Sequence, residues 1–272
     1  LTKKETTYTH GHHESVLRSH RSRTVANSAA YLVGELRPGI ELLDVGCGPG
    51  TITVDLARHI DGGRVVGVDR SAEVVEAARA EAASQVETLR SSLELEVADI
   101  YDLAFGDASF DVVHAHQVLQ HLGDPVAALV EMRRVCRPGG VVAARDSDYA
   151  SMHWFPVVPE LDRWLELYHL VARHNGAEPD AGRRLLAWAH AAGFEDIVPT
   201  TTSWSYTTPD ARSWWGGLWS DRILHSSVGT QILELGLAGE DELHDISEAW
   251  LAWAAHPDGW FAMVHGEVLC RA

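Results

Sequence analysis

The sequence predicts an open α/β sheet of mostly parallel strands with helices on both faces. Three observations lead there. Short apolar runs alternate with helical stretches through the first 150 residues, glycine turns separate them, and the order is strand–helix repeated up to a fifth strand. Connections of that kind are right-handed crossovers. At 272 residues the chain makes one large domain, or one with a sizeable insertion.

The elements follow in order. Residues 1–30 read as an N-terminal arm with Tyr8, His10, His12 and His13. Only His12 and His13 are adjacent, so their side chains point to different faces, and the i, i+4 spacing of a metal-binding helix is absent. The arm is either a mobile, solvated tail or an ordered cover bearing a catalytic Tyr or His. Apolar Val25, Ala29, Leu32 and Val33 predict a helix from about Ser22 to Leu36, ended by Pro38-Gly39. Leu42 to Val45 is a buried strand, and Gly46, Gly48 and Gly50 form the turn after it. Thr51 then opens a helix, so a strand, a glycine loop and a helix N-terminus make a nucleotide-type cofactor site. The second strand, Arg64 to Asp69, ends in an acid 23 residues beyond Gly46, where a carboxylate accepts from both hydroxyls of a ribose. Ser71 caps a helix to about Ser84. Leu93 to Asp99 alternates as an edge-like third strand, and Asp99 at its end is placed for an exocyclic adenine amine. Phe110 to Ala115 is the fourth strand, with His116, Gln117 and His121 on a short helix after it. Asp124-Pro125 opens a helix to about Cys136, and Val141 to Asp146 is the fifth strand.

Composition excludes several classes. A formal charge of −17, from 22 basic and 39 acidic residues, argues against nucleic acid as a partner. No apolar run reaches the roughly 20 residues that cross a bilayer, and the polar start lacks a signal-peptide centre, so no membrane partner and a cytoplasmic location are the expectations. Cys47, Cys136 and Cys270 are isolated and read as buried free thiols, with no zinc or other metal site. All ten tryptophans lie at or after Trp154, which marks an internal boundary near residue 150.

The glycine pattern is G-x-G-x-G with Thr51 where a dinucleotide fingerprint would place another glycine. Together with Val66-Gly67-Val68-Asp69, Phe110-Asp111-Val112-Val113, Leu119-Gln120-His121-Leu122-Gly123-Asp124-Pro125 and Arg137-Pro138-Gly139-Gly140, it resembles class I S-adenosylmethionine-dependent methyltransferases, nearest the ubiquinone/menaquinone-biosynthesis type. The likeness covers about residues 30–148. It implies a Rossmann-like sheet of seven strands, the last antiparallel, with Asp196 to Tyr206 and Trp260 to Cys270 completing it. The domain reading is then an arm (1–30), a cofactor-binding core (31–150), and helical lid segments with the last two strands of the same sheet (151–272). The lid would comprise Pro159 to about His174 and Asp210 to Ala255.

The resemblance also implies roles. The backbone of Gly46, Cys47 and Gly48, with Gly50 behind them, would line the methionine part of S-adenosyl-L-methionine, and Asp44 would neighbour its amino group. Asp69 would hold the ribose, with Arg70 and Ser71 beside it. Ala98, Asp99 and Ile100 would border the adenine, and His114 and Gln117 would sit near the sulfonium. Trp250 and Trp253, three apart on a helix, are expected in a core; of Trp214 and Trp215, one faces an apolar substrate pocket or a subunit contact, so a homodimer is one expectation. Methyl transfer needs an aligned nucleophile, excluded water and a base. Tyr8 and His13 are the first candidates, then His12 and His114, with His116, Asp146, Asp148, Tyr149 and His153 in a wider set. The expected activity is methylation of a small, largely apolar, aromatic or heteroaromatic metabolite, with carbon favoured over oxygen or nitrogen through the family likeness. An NAD-dependent oxidoreductase is the rival enzyme, disfavoured by Thr51, and a catalytically silent cofactor-binding partner protein is the non-enzyme alternative.

Overall fold

A computed structural model of the chain describes Thr9 and residues 13–272. Strands β1 (Glu41–Val45), β2 (Arg64–Asp69), β3 (Ser92–Val97), β4 (Phe110–His116) and β5 (Cys136–Phe155) pair in parallel. With β6 (Ile197–Tyr206) and β7 (Trp260–Arg271) they form one seven-stranded sheet, ordered β3-β2-β1-β4-β5-β7-β6. β7 is antiparallel to both β5 and β6, as expected of the last strand. The chain leaves β1 toward β2 and later returns to its other side at β4. That reversal opens a crevice beyond the carboxyl ends of β1 and β4, where open sheets bind ligands.

Apolar side chains alternate between the two faces and each face has its own cover. Helix α2 (Val25–Ser28), a 3₁₀ segment (Ala30–Glu35) and α3 (Thr51–His59) bury Leu42, Val65, Val112, Val141 and Ala143. Helices α5 (Pro125–Val135) and α7 (Leu185–Ala191) cover Leu43, Val66, Val113, Val142 and Val268 on the other face. The starts of these helices are written locally: the Asp124 side chain accepts from the Ala127 N–H, and Pro125 sits in the first turn. Helix α4 (Ala72–Ser84) is capped by Ser71 in the same way.

The single helix expected over Ser22–Leu36 is broken. Helix α1 (Glu14–Arg21) ends before it, in a stretch where no helix was expected, and a new start follows. The Thr24 hydroxyl accepts from the Asn27 N–H and the Asn27 side-chain Oδ1 accepts from the Thr24 N–H, while the Val25 N–H donates to Asp55. This capping box starts α2 afresh, and Ala29, with φ −136°, leaves helical geometry at once. His116 and Gln117 also depart from expectation: His116 closes β4, and the short 3₁₀ helix holds only Leu119–His121.

Helices α6 (Pro159–His174), α8 (Pro209–His225), α9 (Ser227–Glu234) and α10 (Glu240–Ala255) make a second apolar cluster above the sheet's carboxyl edge. Its centre is aromatic: Trp164 meets Trp219 and Trp250 edge-to-face at 4.5 and 4.9 Å. Trp250 and Trp253 are both buried, as their spacing predicts. The fifth strand outruns its expected end at Asp146, because His153–Phe155 go on pairing with Trp260–Ala262 and carry the ladder into this layer.

Candidate active site

A cleft with about 1700 Å³ of empty space, its open mouth included, lies over the carboxyl ends of β1, β2 and β4. One end is built by the glycine turn. Gly46 has φ +69°, and a Cβ there would stand 2.4 Å from Val118 Cγ2, so no other residue fits without displacing the Val118 loop. The turn is tied back by its own amides: Gly46 and Cys47 N–H both donate to Val68 O at 2.7 and 2.9 Å, and Gly48 N–H donates to Asp69 Oδ2 at 3.2 Å. These residues therefore present surface and carbonyls to the cleft rather than free N–H groups.

Asp69 Oδ1 accepts from the Ser71 N–H at 3.0 Å. An ionised carboxylate has about four acceptor positions, so two backbone bonds fix Asp69 and leave capacity for a diol at the cleft wall. Asp99, oriented by the Tyr101 N–H at 3.0 Å, lines the same end with Ala98, Ile100 and Val74. Below them Asp44 accepts from Thr53 Oγ1 at 2.6 Å and from His114 Nδ1 at 2.8 Å. The β1–β4 register pairs Asp44 with His114, which puts both side chains on one face of the sheet. Burial, then Asp44 and Asp69, pushes the Cys47 thiol well above its usual range, so it lines the wall as an inert group.

The other end is aromatic and belongs to the second half of the chain: Tyr149, Trp204, Trp215, Trp219 and Met263. Two guanidiniums stand among them. Arg222 lies over the Trp219 ring, 4.6 Å from its centroid, and donates to Ser15 O and Ser19 Oγ at 3.0 Å each. Arg23 donates to Gln117 Oε1 at 2.7 Å. Gln117 is held at φ +54°, uncommon for a residue with a side chain, and its amide Nε2 donates to His265 Nε2 at 3.0 Å. Neither arginine belongs to a motif; the side-chain contacts that hold them come from distant segments, so spacing in the sequence carries no signal for them.

The structure brings Asp44, Gly46, Cys47, Gly48, Asp69, Arg70, Ser71, Ala98, Asp99, Ile100 and Gln117 to the lining of one cleft, with His116, His121 and Tyr149. Gly50 stands behind it, starting α3 with φ +83°. His114 is fully buried beneath the wall against Asp44 and does not reach the cleft. His13 caps α1, bonded to Ser15 and 4.0 Å from Asp221, also off the lining. Tyr8 and His12 lie outside the described residues. Of the tryptophan pair, Trp215 faces the cleft and Trp214 does not. All three cysteines are free and buried. Among the described residues no cluster of His, Cys, Asp or Glu could hold a metal, and no helix is long and apolar enough to cross a membrane.

A glycine turn after β1, a cleft-facing carboxylate at the end of β2 and a second acid beyond β3 fit S-adenosylmethionine. A family model described as a methyltransferase domain matches residues 36–208. The chain is 35% identical over 271 residues to an uncharacterised methyltransferase of Schizosaccharomyces pombe, covering 97% of this chain and 96% of that one. Over 106 residues, 39% of this chain and 43% of the relative, it is 35% identical to a ubiquinone/menaquinone biosynthesis C-methyltransferase of Bdellovibrio bacteriovorus. The YcgJ protein of Bacillus subtilis shares the fold, with a TM-score of 0.58, 19% identity, and coverage of 90% of this chain and 98% of that one. Likeness along almost the whole chain, on a sheet and cleft of this form, makes the protein a member of the class I S-adenosylmethionine-dependent methyltransferases.

Proposed function

We propose that the protein methylates a small, largely apolar, aromatic or heteroaromatic metabolite. The observation that carries this is the far end of the cleft, where Tyr149, Trp204, Trp215, Trp219 and Met263 form its wall. Flat apolar walls of this kind take flat apolar ligands, with a few polar groups fixing orientation. Carbon is the favoured acceptor atom, supported by the motif likeness and by the C-methyltransferase among the relatives.

The bound cofactor would supply an electrophilic methyl group. Asp69, flanked by Arg70 and Ser71, would hold its ribose; Ala98, Asp99 and Ile100 would enclose its adenine; Asp44 and the turn Gly46–Gly50 would border its amino-acid end. Gln117, gripped by Arg23 and His265, has the rigidity to fix a ligand at the junction of the two ends. The N-terminal segment would exclude water, since Ser19, His20 and Arg23 line the cleft. Tyr8 and His12 stay as proposed acid–base groups because they precede this segment directly. His114 and His13 are weaker candidates on position: His114 reaches only Asp44 among the described acids, and His13 faces Asp221 and His225.

Calorimetry with S-adenosylhomocysteine, then turnover on a panel of phenols, quinols and indoles with NMR of the product, tests the reading. A new carbon-bound methyl is expected. An oxygen-bound methyl would overturn the choice of atom, and turnover confined to aliphatic amines would overturn the acceptor class. Tyr8→Phe is expected to lower kcat by about 100-fold with S-adenosylhomocysteine affinity kept, and His13→Ala to leave kcat within a few fold. Unchanged kcat in Tyr8→Phe removes Tyr8 from the reaction.

A further inference from the structure

We infer that His116 is the hydroxyl-recognition point of the cleft, so that the aromatic acceptor is a phenol or a similarly acidic enol. This rests on the aromatic-acceptor reading above.

The alternation of parallel strands sets a polar row on one face of the sheet. Asp44 pairs with His114; His116 follows two residues on and pairs with Arg145; Arg145 pairs with Glu267, and Glu267 with Thr200. Most of the row is committed internally. Arg145 Nε donates to Glu267 at 3.0 Å, and Glu267 accepts from Thr200 and Thr202 at 2.8 and 2.5 Å. His116 is different: it is buried, 5% exposed, and neither ring nitrogen has a hydrogen-bond partner among the described residues. Tyr31, His114, Arg145 and His265 also carry one unpartnered atom each, away from the cleft, whereas His116 lines it, as does Trp215, whose unpartnered indole N–H can only donate. Among the described residues His116 is therefore the lining residue with both ring nitrogens unmet.

The chemistry of the missing partner follows from the state of the ring. Burial, then Arg23 and Arg145, with His114 and His265 adding to them, holds the imidazole well below its usual range. It is uncharged and offers one donor and one acceptor. The guanidiniums that keep it so also disfavour a cationic ligand. A carboxylate would use only the donor nitrogen. A hydroxyl can donate to one nitrogen or accept from the other, and it sits on a flat ring. The Trp204 ring, 6.1 Å from that of His116, continues the aromatic wall from this point.

The test is calorimetry with 1-naphthol and 1-methoxynaphthalene on protein saturated with S-adenosylhomocysteine. Wild type should prefer the naphthol roughly 10–100-fold, the range expected when a buried polar group is left unpaired. In His116→Phe that preference should vanish while S-adenosylhomocysteine affinity stays within twofold, and His116→Gln should restore part of it. Equal binding of the two ligands by wild type, or an undiminished preference in His116→Phe, overturns the assignment. A loss of S-adenosylhomocysteine affinity in both variants, with an unchanged melting temperature, would overturn it too by placing His116 at the cofactor. If S-adenosylhomocysteine binds and neither aromatic does, the acceptor reading itself fails.

Discussion

Asp69 and Asp146 are two carboxylates set to opposite tasks by their surroundings. Asp69 is fixed by two backbone N–H groups and faces the cleft, so its remaining lone pairs stay open to a ligand. Asp69→Ala should weaken S-adenosylhomocysteine binding by about 10–100-fold, the cost of losing charge-assisted bonds, as read by calorimetry. Asp146 is wholly buried under the Leu119–His121 turn and accepts from the Gln120 N–H at 3.1 Å. Burial raises its carboxyl to about 7, against about 3.9 in an unfolded chain. The native state keeps a proton that the unfolded state releases. Its stabilising contribution is thus full below about pH 4 and is lost as pH rises through 7, on the order of 4 kcal/mol. Asp146→Asn should therefore gain stability over wild type more at pH 8 than at pH 5 in urea unfolding; an equal difference at both pH values would remove the buried proton. The places of Asp69 and the glycines at the carboxyl ends of β2 and β1 were legible because they depend on local spacing. The unmet nitrogens of His116 were not, because Arg145, His265 and Trp204 reach it only through the register of distant strands.

Helix α1 shows how an element can matter without a strong pattern of its own. It is held from outside: Arg222 on α8 donates to Ser15 and Ser19, and Thr51 Oγ1 donates to His20 O at 3.1 Å. Arg222→Leu should speed amide exchange across residues 14–21 and leave β1 and β4 protected; unchanged exchange there would mean that α1 is held by its other contacts. The cost to global stability should be about 1–3 kcal/mol. The Arg222 contacts join residues some 200 positions apart and the Thr51 contact 31, so nothing in residues 8–36 reveals them, and the capping box at Thr24 breaks a periodicity that otherwise reads as one helix. The helices α6, α8, α9 and α10 were legible as two helical stretches, Pro159 to about His174 and Asp210 to Ala255, without the breaks that divide the second into three. Trp250→Ala at their centre should cost roughly 3–5 kcal/mol in chemical denaturation.

At the scale of the molecule, the sheet joins what the composition divides. Phe194, Val268 and Cys270 share one core with Phe110, Val113 and Val142 from the first half. The ladder of β5 and β7 then runs on beneath the tryptophan layer. Scanning calorimetry should show one cooperative transition, and two would identify the helical layer as a separate folding unit. The seven strands and the antiparallel last one followed from the recognised motifs, whereas the seating of the helical layer depends on ring-to-ring packing among Trp164, Trp215, Trp219 and Trp250, which has no sequence period. The one-sided placement of tryptophan also divides the molecule optically. The glycine-turn half has no indole, while Trp204, Trp215 and Trp219 border the aromatic end of the cleft. Ultraviolet emission from this protein therefore arises wholly from the second half of the chain, and three of its ten indoles look into the cleft, where a bound aromatic ligand would quench them.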